Sequence, residues 1–169
     1  WPQLVKAADW VIASRTRVTD PDALNAGLMP SGLADGGVGG IVPEYTTNYW
    51  SLLLLRNVAR AAYWLGHDKA AWKYGAEFAD YMAAFRRAAA RDMQVDAHGN
   101  TFLPIRMQFD PAIHPAPGGQ TVFSYIVYPA RLFDKHDPLV EGNFAMLMDA
   151  PREEGLVLST GWLKGGVQP

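Results

Sequence analysis

Two carboxylates, Asp35 and Glu44, stand in one glycine-rich stretch of the chain, GLMPSGLADGGVGGIVPEYTTNYW, at residues 27–50. Carboxyl groups are among the side chains that carry general acid–base chemistry, provided a fold holds them toward a shared cleft. Beside them, Tyr45, Thr46, Thr47, Asn48, Tyr49 and Trp50 supply hydroxyls, an amide and rings of the kind that suit a sugar. Each group also has a plainer use. Asp35, just before Gly36 and Gly37, fits a turn in which it bonds its own backbone. Glu44 fits a first-turn acid favoured by the helix dipole. Asn48 fits a helix N-cap, and Trp50 fits core packing.

The stretch itself is more than a connector. Its glycines can take backbone conformations that other residues avoid, and Pro30 and Pro43 forbid a helix through it. Long loops inside compact domains are usually functional or disordered. Leu28, Met29, Ile41, Val42, Tyr45 and Trp50 argue against disorder. An ordered, site-forming loop is the expectation.

The elements that must hold such a loop read as helices. Leu4, Val5, Ala8, Val11 and Ile12 recur at helical spacing and predict a helix from residue 2 to about 17. A second helix is expected from Asn48 to Gly66. It is apolar nearly all round, which requires burial on most sides. Gly66-His67-Asp68 breaks it, with Asp68 as the expected cap of a third helix running from Lys69 to about Arg91. There Lys73, Glu77, Asp80, Arg87 and Arg91 form a polar stripe, and Trp72, Phe78, Ala79, Met82, Phe85 and Ala89 lie opposite. A buried helix, a short turn and a one-faced helix make an inner–outer antiparallel hairpin.

Residues 92–119 read as a second long connection, with turn chemistry at 96–100 and an extended piece at 101–107. A mostly apolar helix from Thr121 to Phe133 follows, kinked at Pro129. Its β-branched and aromatic residues also allow a strand over 121–128. Asp137-Pro138, a cap followed by proline at the first helical position, opens a last helix to about Asp149. Residues 151–169 form a third loop segment. Long and short connections therefore alternate, so antiparallel neighbours would gather the long loops at one end, where sites are built.

Composition sets the outer limits. The chain has 169 residues, 49% of them hydrophobic and 19% charged. That length and balance describe one globular domain. A net charge of -2 gives no electrostatic reason to expect nucleic acid or an anionic membrane. No apolar run approaches the ~20 residues of a membrane span. With no cysteines, disulfides and thiolate zinc sites are excluded. His67, His98, His114 and His136 lack metal-ligand spacing, so neither metal nor cofactor is expected.

GLMPSGLADGG followed by EYTTNYWSLLLLRNVARAAYWLGH resembles the six-hairpin glycosidases. That resemblance implies an all-α domain in which inner and outer helical hairpins form an arc of an (α/α)6 toroid. It also implies a carbohydrate cleft built by the long loops at one end. A complete toroid has twelve helices against about five here, so the missing remainder of the ring or a homo-oligomer is the expected partner beside a carbohydrate substrate. Asp35 and Glu44 are then the first choice for the acid and base of glycosidic-bond cleavage. Substrate contacts fall to Tyr45, Asn48 and Trp50 of the first loop, His98 and Arg106 of the second, and Glu153 and Trp162 of the third. His98 fits a plain turn residue better than a base, and Glu153 with Glu154 fits a solvated pair. Two other classes stay open: a silent fragment that binds sugar or serves assembly, and an α/α epimerase or lyase with a histidine or tyrosine base.

Overall fold

The computed structural model describes residues 1–33, 40–153 and 155–158. Five α-helices dominate these residues, with three two-stranded antiparallel hairpins between and after them. The helices are α1 (Pro2–Arg15), α2 (Thr46–Trp64), α3 (Asp68–Asp92), α4 (Gln120–Val127) and α5 (Pro138–Asp149). The strands are β1 (Gly32–Leu33) with β2 (Ile41–Val42), β3 (Gln94–Val95) with β4 (Thr101–Phe102), and β5 (Arg152–Glu153) with β6 (Leu156–Val157). The domain is mostly helical, as its sequence pattern predicts.

The α2–α3 hairpin is the centre. Helix α2 buries Tyr49, Leu52, Leu55, Val58 and Ala62, and α3 answers with Tyr74, Tyr81, Ala84, Phe85, Ala88 and Ala89. Gly66 makes the turn between them with a φ of +72°. That is a left-handed conformation which glycine takes without strain. One aromatic cluster joins three helices and the segment after α4. Phe85 stacks on Phe133 at 5.5 Å, and Tyr49 meets Phe123 edge-on at 5.8 Å. Such pairs add about 0.5–1.5 kcal/mol each beyond the area they bury. Helix α1 lies alongside through Ala8 and Val11, with Trp1 stacked on His67 beside the short turn. At its other end Arg15 donates to Gly27 O and Asp80, with its guanidinium over the Tyr81 ring at 4.1 Å.

Four expectations are corrected. Helix α2 begins two residues before Asn48, which therefore sits inside its first turn rather than capping it. Asp68 does not cap α3: it is the helix's first residue, with no side-chain cap bond at that end. The apolar circumference of α2 is only partly buried, because Trp50, Tyr63 and Trp64 are exposed; across the hairpin Trp72 is 81% exposed rather than in the core. Helix α4 stops at Val127, and the chain turns at a cis Tyr128–Pro129 peptide instead of continuing through a kink to Phe133. Proline lacks the N–H that the next helical turn would need. The last helix is as expected. Asp137 caps it by accepting from the Leu139 N–H, with Pro138 in the first turn.

Candidate functional site at the loop end of the hairpin

The first two long loops meet where α2 begins and α3 ends. Tyr45 N–H donates to Ile105 O at 2.8 Å and Met107 N–H to Pro43 O at 3.1 Å, so Glu44 and Arg106 face one another as a short antiparallel bridge. Two loops separated in sequence by the whole α2–α3 hairpin are thus sewn together by backbone bonds. The helices on either side fix where that seam lies.

Glu44 is held by the first turn of α2. Its carboxylate accepts from the Thr46 N–H and the Thr46 hydroxyl on one oxygen, and from the Thr47 N–H at 3.0 Å on the other. The first N–H groups of any helix lack partners within it, and an acid there satisfies them and favours the dipole. Glu44 is only 3% exposed. Its carboxyl group looks into the helix end.

Tyr45 and Asn48 are fully buried. The Tyr45 hydroxyl donates to Asp92 Oδ2 at 2.6 Å, and Arg91 grips both oxygens of Asp92 at 2.6 and 2.7 Å. Burial first, and the carboxylate of Asp92 second, push the Tyr45 phenol far above its ordinary range. Burial does the same to Tyr49 and Tyr81. These phenols keep their protons at neutral pH, and Tyr45 and Tyr81 donate theirs to Asp92 and Asn48. Asn48 ties three segments: its amide donates to Glu44 O at 2.6 Å, and its oxygen accepts from the Met29 N–H at 3.0 Å and the Tyr81 hydroxyl at 2.7 Å. A buried amide with its bonds made rigidifies what it joins. Tyr45 and Asn48 thus lie beneath the loops, not on a surface open to a ligand.

A second buried knot, unmarked by any sequence period, fixes the far side of the seam. Asn143 of α5 pairs with the backbone of Leu103, accepting from its N–H at 2.9 Å and donating to its carbonyl at 3.2 Å. The same amide donates to Gln120 Oε1 at 2.8 Å, and Gln120 donates back to Leu103 O at 2.9 Å. Gln120, Asn143 and Asp92 are positioning residues that pattern reading passes over, since nothing in their spacing marks a polar group for burial.

The other predicted contacts are spread out. Trp50 is on the exposed side of α2, 40% accessible. His98 is exposed in the β3–β4 turn, with its N–H donated to Asp96 Oδ1. Arg106 is half-buried in the seam. Glu153 belongs to β5, opposite Leu156. Asp35, Glu154 and Trp162 lie outside the described residues. Among the described residues no cluster of three or more potential ligands for a metal occurs, and no helix is long and apolar enough to cross a membrane. Comparison of the chain with family models, with curated proteins and with solved structures gave no match.

Proposed function

We propose that the chain is a carbohydrate-binding arc of an (α/α)6 toroid, with its sugar contacts at the end where the long loops converge. The observation that carries this reading is the seam of residues 43–45 with 105–107, which brings the first two long loops to one end of the α2–α3 hairpin. Loops gathered on one end of a rigid scaffold are the usual site-forming arrangement. The exposed apolar side chains on α2 and α3 suit a partial ring that associates with its remainder or with another copy.

Between binding and cleavage, the geometry of Glu44 favours binding. Hydrolysis needs one carboxyl group that gives a proton to the leaving oxygen and one that activates water or attacks the sugar. Glu44 already accepts three hydrogen bonds from the α2 start and is nearly inaccessible. The hydrolytic form of the proposal keeps Asp35 and Glu44 as acid and base, and the convergence of the loops supports it. An epimerase or lyase base drawn from Tyr45, Tyr49 or Tyr81 fits poorly, since burial holds those phenols protonated.

The test is a panel of immobilised glycans, followed by assay of new reducing ends on any glycan retained. Retention without cleavage is the expected result. Cleavage that falls roughly 10²–10⁴-fold in both Asp35→Asn and Glu44→Gln would instead establish the hydrolytic form. Failure to retain any glycan removes the carbohydrate reading.

A further inference from the structure

The short-turn half of the hairpin carries a feature that the loop end does not use. Between α2 and α3 lies an open groove of about 730 Å³. Trp64 and Trp72, 76% and 81% exposed, line it together with the small residues Gly75 and Ala76. Two charges of opposite sign line it, Arg60 from α2 and Asp68 from α3. Arg60 sits 5.8 Å from the Trp64 ring, and neither charge belongs to an ion pair among the described residues.

Gly75 is informative because the fold of a single chain does not require it. A Cβ built there meets nothing within 4 Å, and its φ is not left-handed. Mid-helix glycine costs about 1 kcal/mol relative to alanine. A side chain at Gly75 would project into the open space of the groove. Two exposed indoles and a run of small residues thus share one surface.

We infer that this groove is the face through which two copies of the chain associate about a two-fold axis. In such a contact the same patch meets itself, so a residue that touches a second residue is touched by it in return. Arg60 of one copy then faces Asp68 of the other, twice, and the indoles of each copy meet the small residues of its mate. The charges select the occupant: a patch holding one cation and one anion on opposite helices is complementary to itself under a two-fold. Aromatic and arginine side chains are also the residue types enriched where binding energy concentrates. This inference takes up the association part of the partial-ring reading and leaves its sugar contacts aside, because the groove lies at the opposite end of the hairpin from the loop seam.

Sedimentation equilibrium on the full chain, from micromolar to several hundred micromolar, tests it. A monomer–dimer equilibrium is expected. Arg60→Asp and Asp68→Arg should each weaken it about tenfold or more by setting like charges face to face. The double variant should regain most of the loss, because the pairs re-form with their signs exchanged. Gly75→Leu should abolish the dimer by filling the groove while leaving the far-ultraviolet circular dichroism of the monomer unchanged. A monomer throughout, or a dimer indifferent to these variants, overturns the inference. So does a monomer whose tryptophan fluorescence answers a glycan only while Trp64 and Trp72 are present, which would make the groove a sugar site.

Discussion

Tyr45 donates its phenolic proton to Asp92 across 2.6 Å, and this bond pins the first residue before α2 to the last residue of α3. Both ends are buried, and Arg91 supplies the charge that lets the carboxylate stay there. The bond closes the loop end of the hairpin as Gly66 closes the other.

Removing that donor should be felt in stability before anything else. Tyr45→Phe keeps the ring, including its edge-on contact with Phe85 at 5.7 Å, and deletes only the hydroxyl. Hydrogen bonds to a charged group are worth about 1.5–3 kcal/mol. The expected loss lies in that range, read as a lower urea midpoint at unchanged slope. A variant as stable as the parent would mean that Arg91 alone satisfies Asp92.

The helical hairpin is readable in the sequence because its signals are local and agree with one another. Gly66 breaks the pattern and Asp137-Pro138 starts a helix, while of the six side chains expected on the buried face of α3 only Phe85 and Ala89 are buried. The errors arise where one residue type serves two purposes. Asn48 precedes an apolar run as a cap would, yet it bonds Met29, Glu44 and Tyr81 from inside the first turn. Trp72 lies on the opposite side of α3 from Tyr74, Tyr81, Phe85 and Ala88, whose burial turns the core face away from the direction the apolar spacing predicts. The Gln120–Asn143–Leu103 knot joins residues from separate elements, so no window of sequence contains it. Of the candidate site, the meeting of the first two loops follows from the alternation of long and short connections. The use of Glu44 as a helix-end acceptor is visible as the plainer of its two readings.

Gly142 gives a prediction whose sign is opposite to helix propensity. Within an exposed helix, glycine to alanine stabilises by about 1 kcal/mol. Here a Cβ would lie 1.9 Å from Thr101 O and 3.1 Å from Thr101 C, both backbone atoms of β4. The helix must move off the strand or the strand must bend, and overpacking of this kind costs about 1–3 kcal/mol or more. Gly142→Ala should therefore destabilise by at least ~2 kcal/mol in urea unfolding. Because α5 carries Asn143, the displacement should also loosen the Leu103 knot and speed amide exchange at Leu103.

Asp137 supplies a pH dependence with a defined direction. Burial pushes its carboxyl group upward, but hydrogen bonds from Arg86 and the Leu139 N–H, with the charge of Arg86, outweigh burial and hold it below the ordinary 3.8. Its side chain is 14% exposed while that of Arg86 is 42% exposed. The ion pair is thus partly screened, and the cap bond is the steadier contribution. A carboxyl group lowered by folding contributes stability that is present above the unfolded value and is lost as pH falls through the folded one. The contribution should be whole at neutral pH and be lost progressively as pH falls below about 4. Asp137→Ala removes cap and pair together and should cost about 1–2 kcal/mol at pH 7. Asp137→Asn retains a side-chain acceptor for Leu139 and should cost less. Melting temperatures of parent and Asp137→Ala, followed from pH 7 down to pH 2.5, should converge as the parent loses its ionised cap. Curves that stay parallel across that range would show that the carboxylate charge adds nothing, leaving only the geometry of the cap.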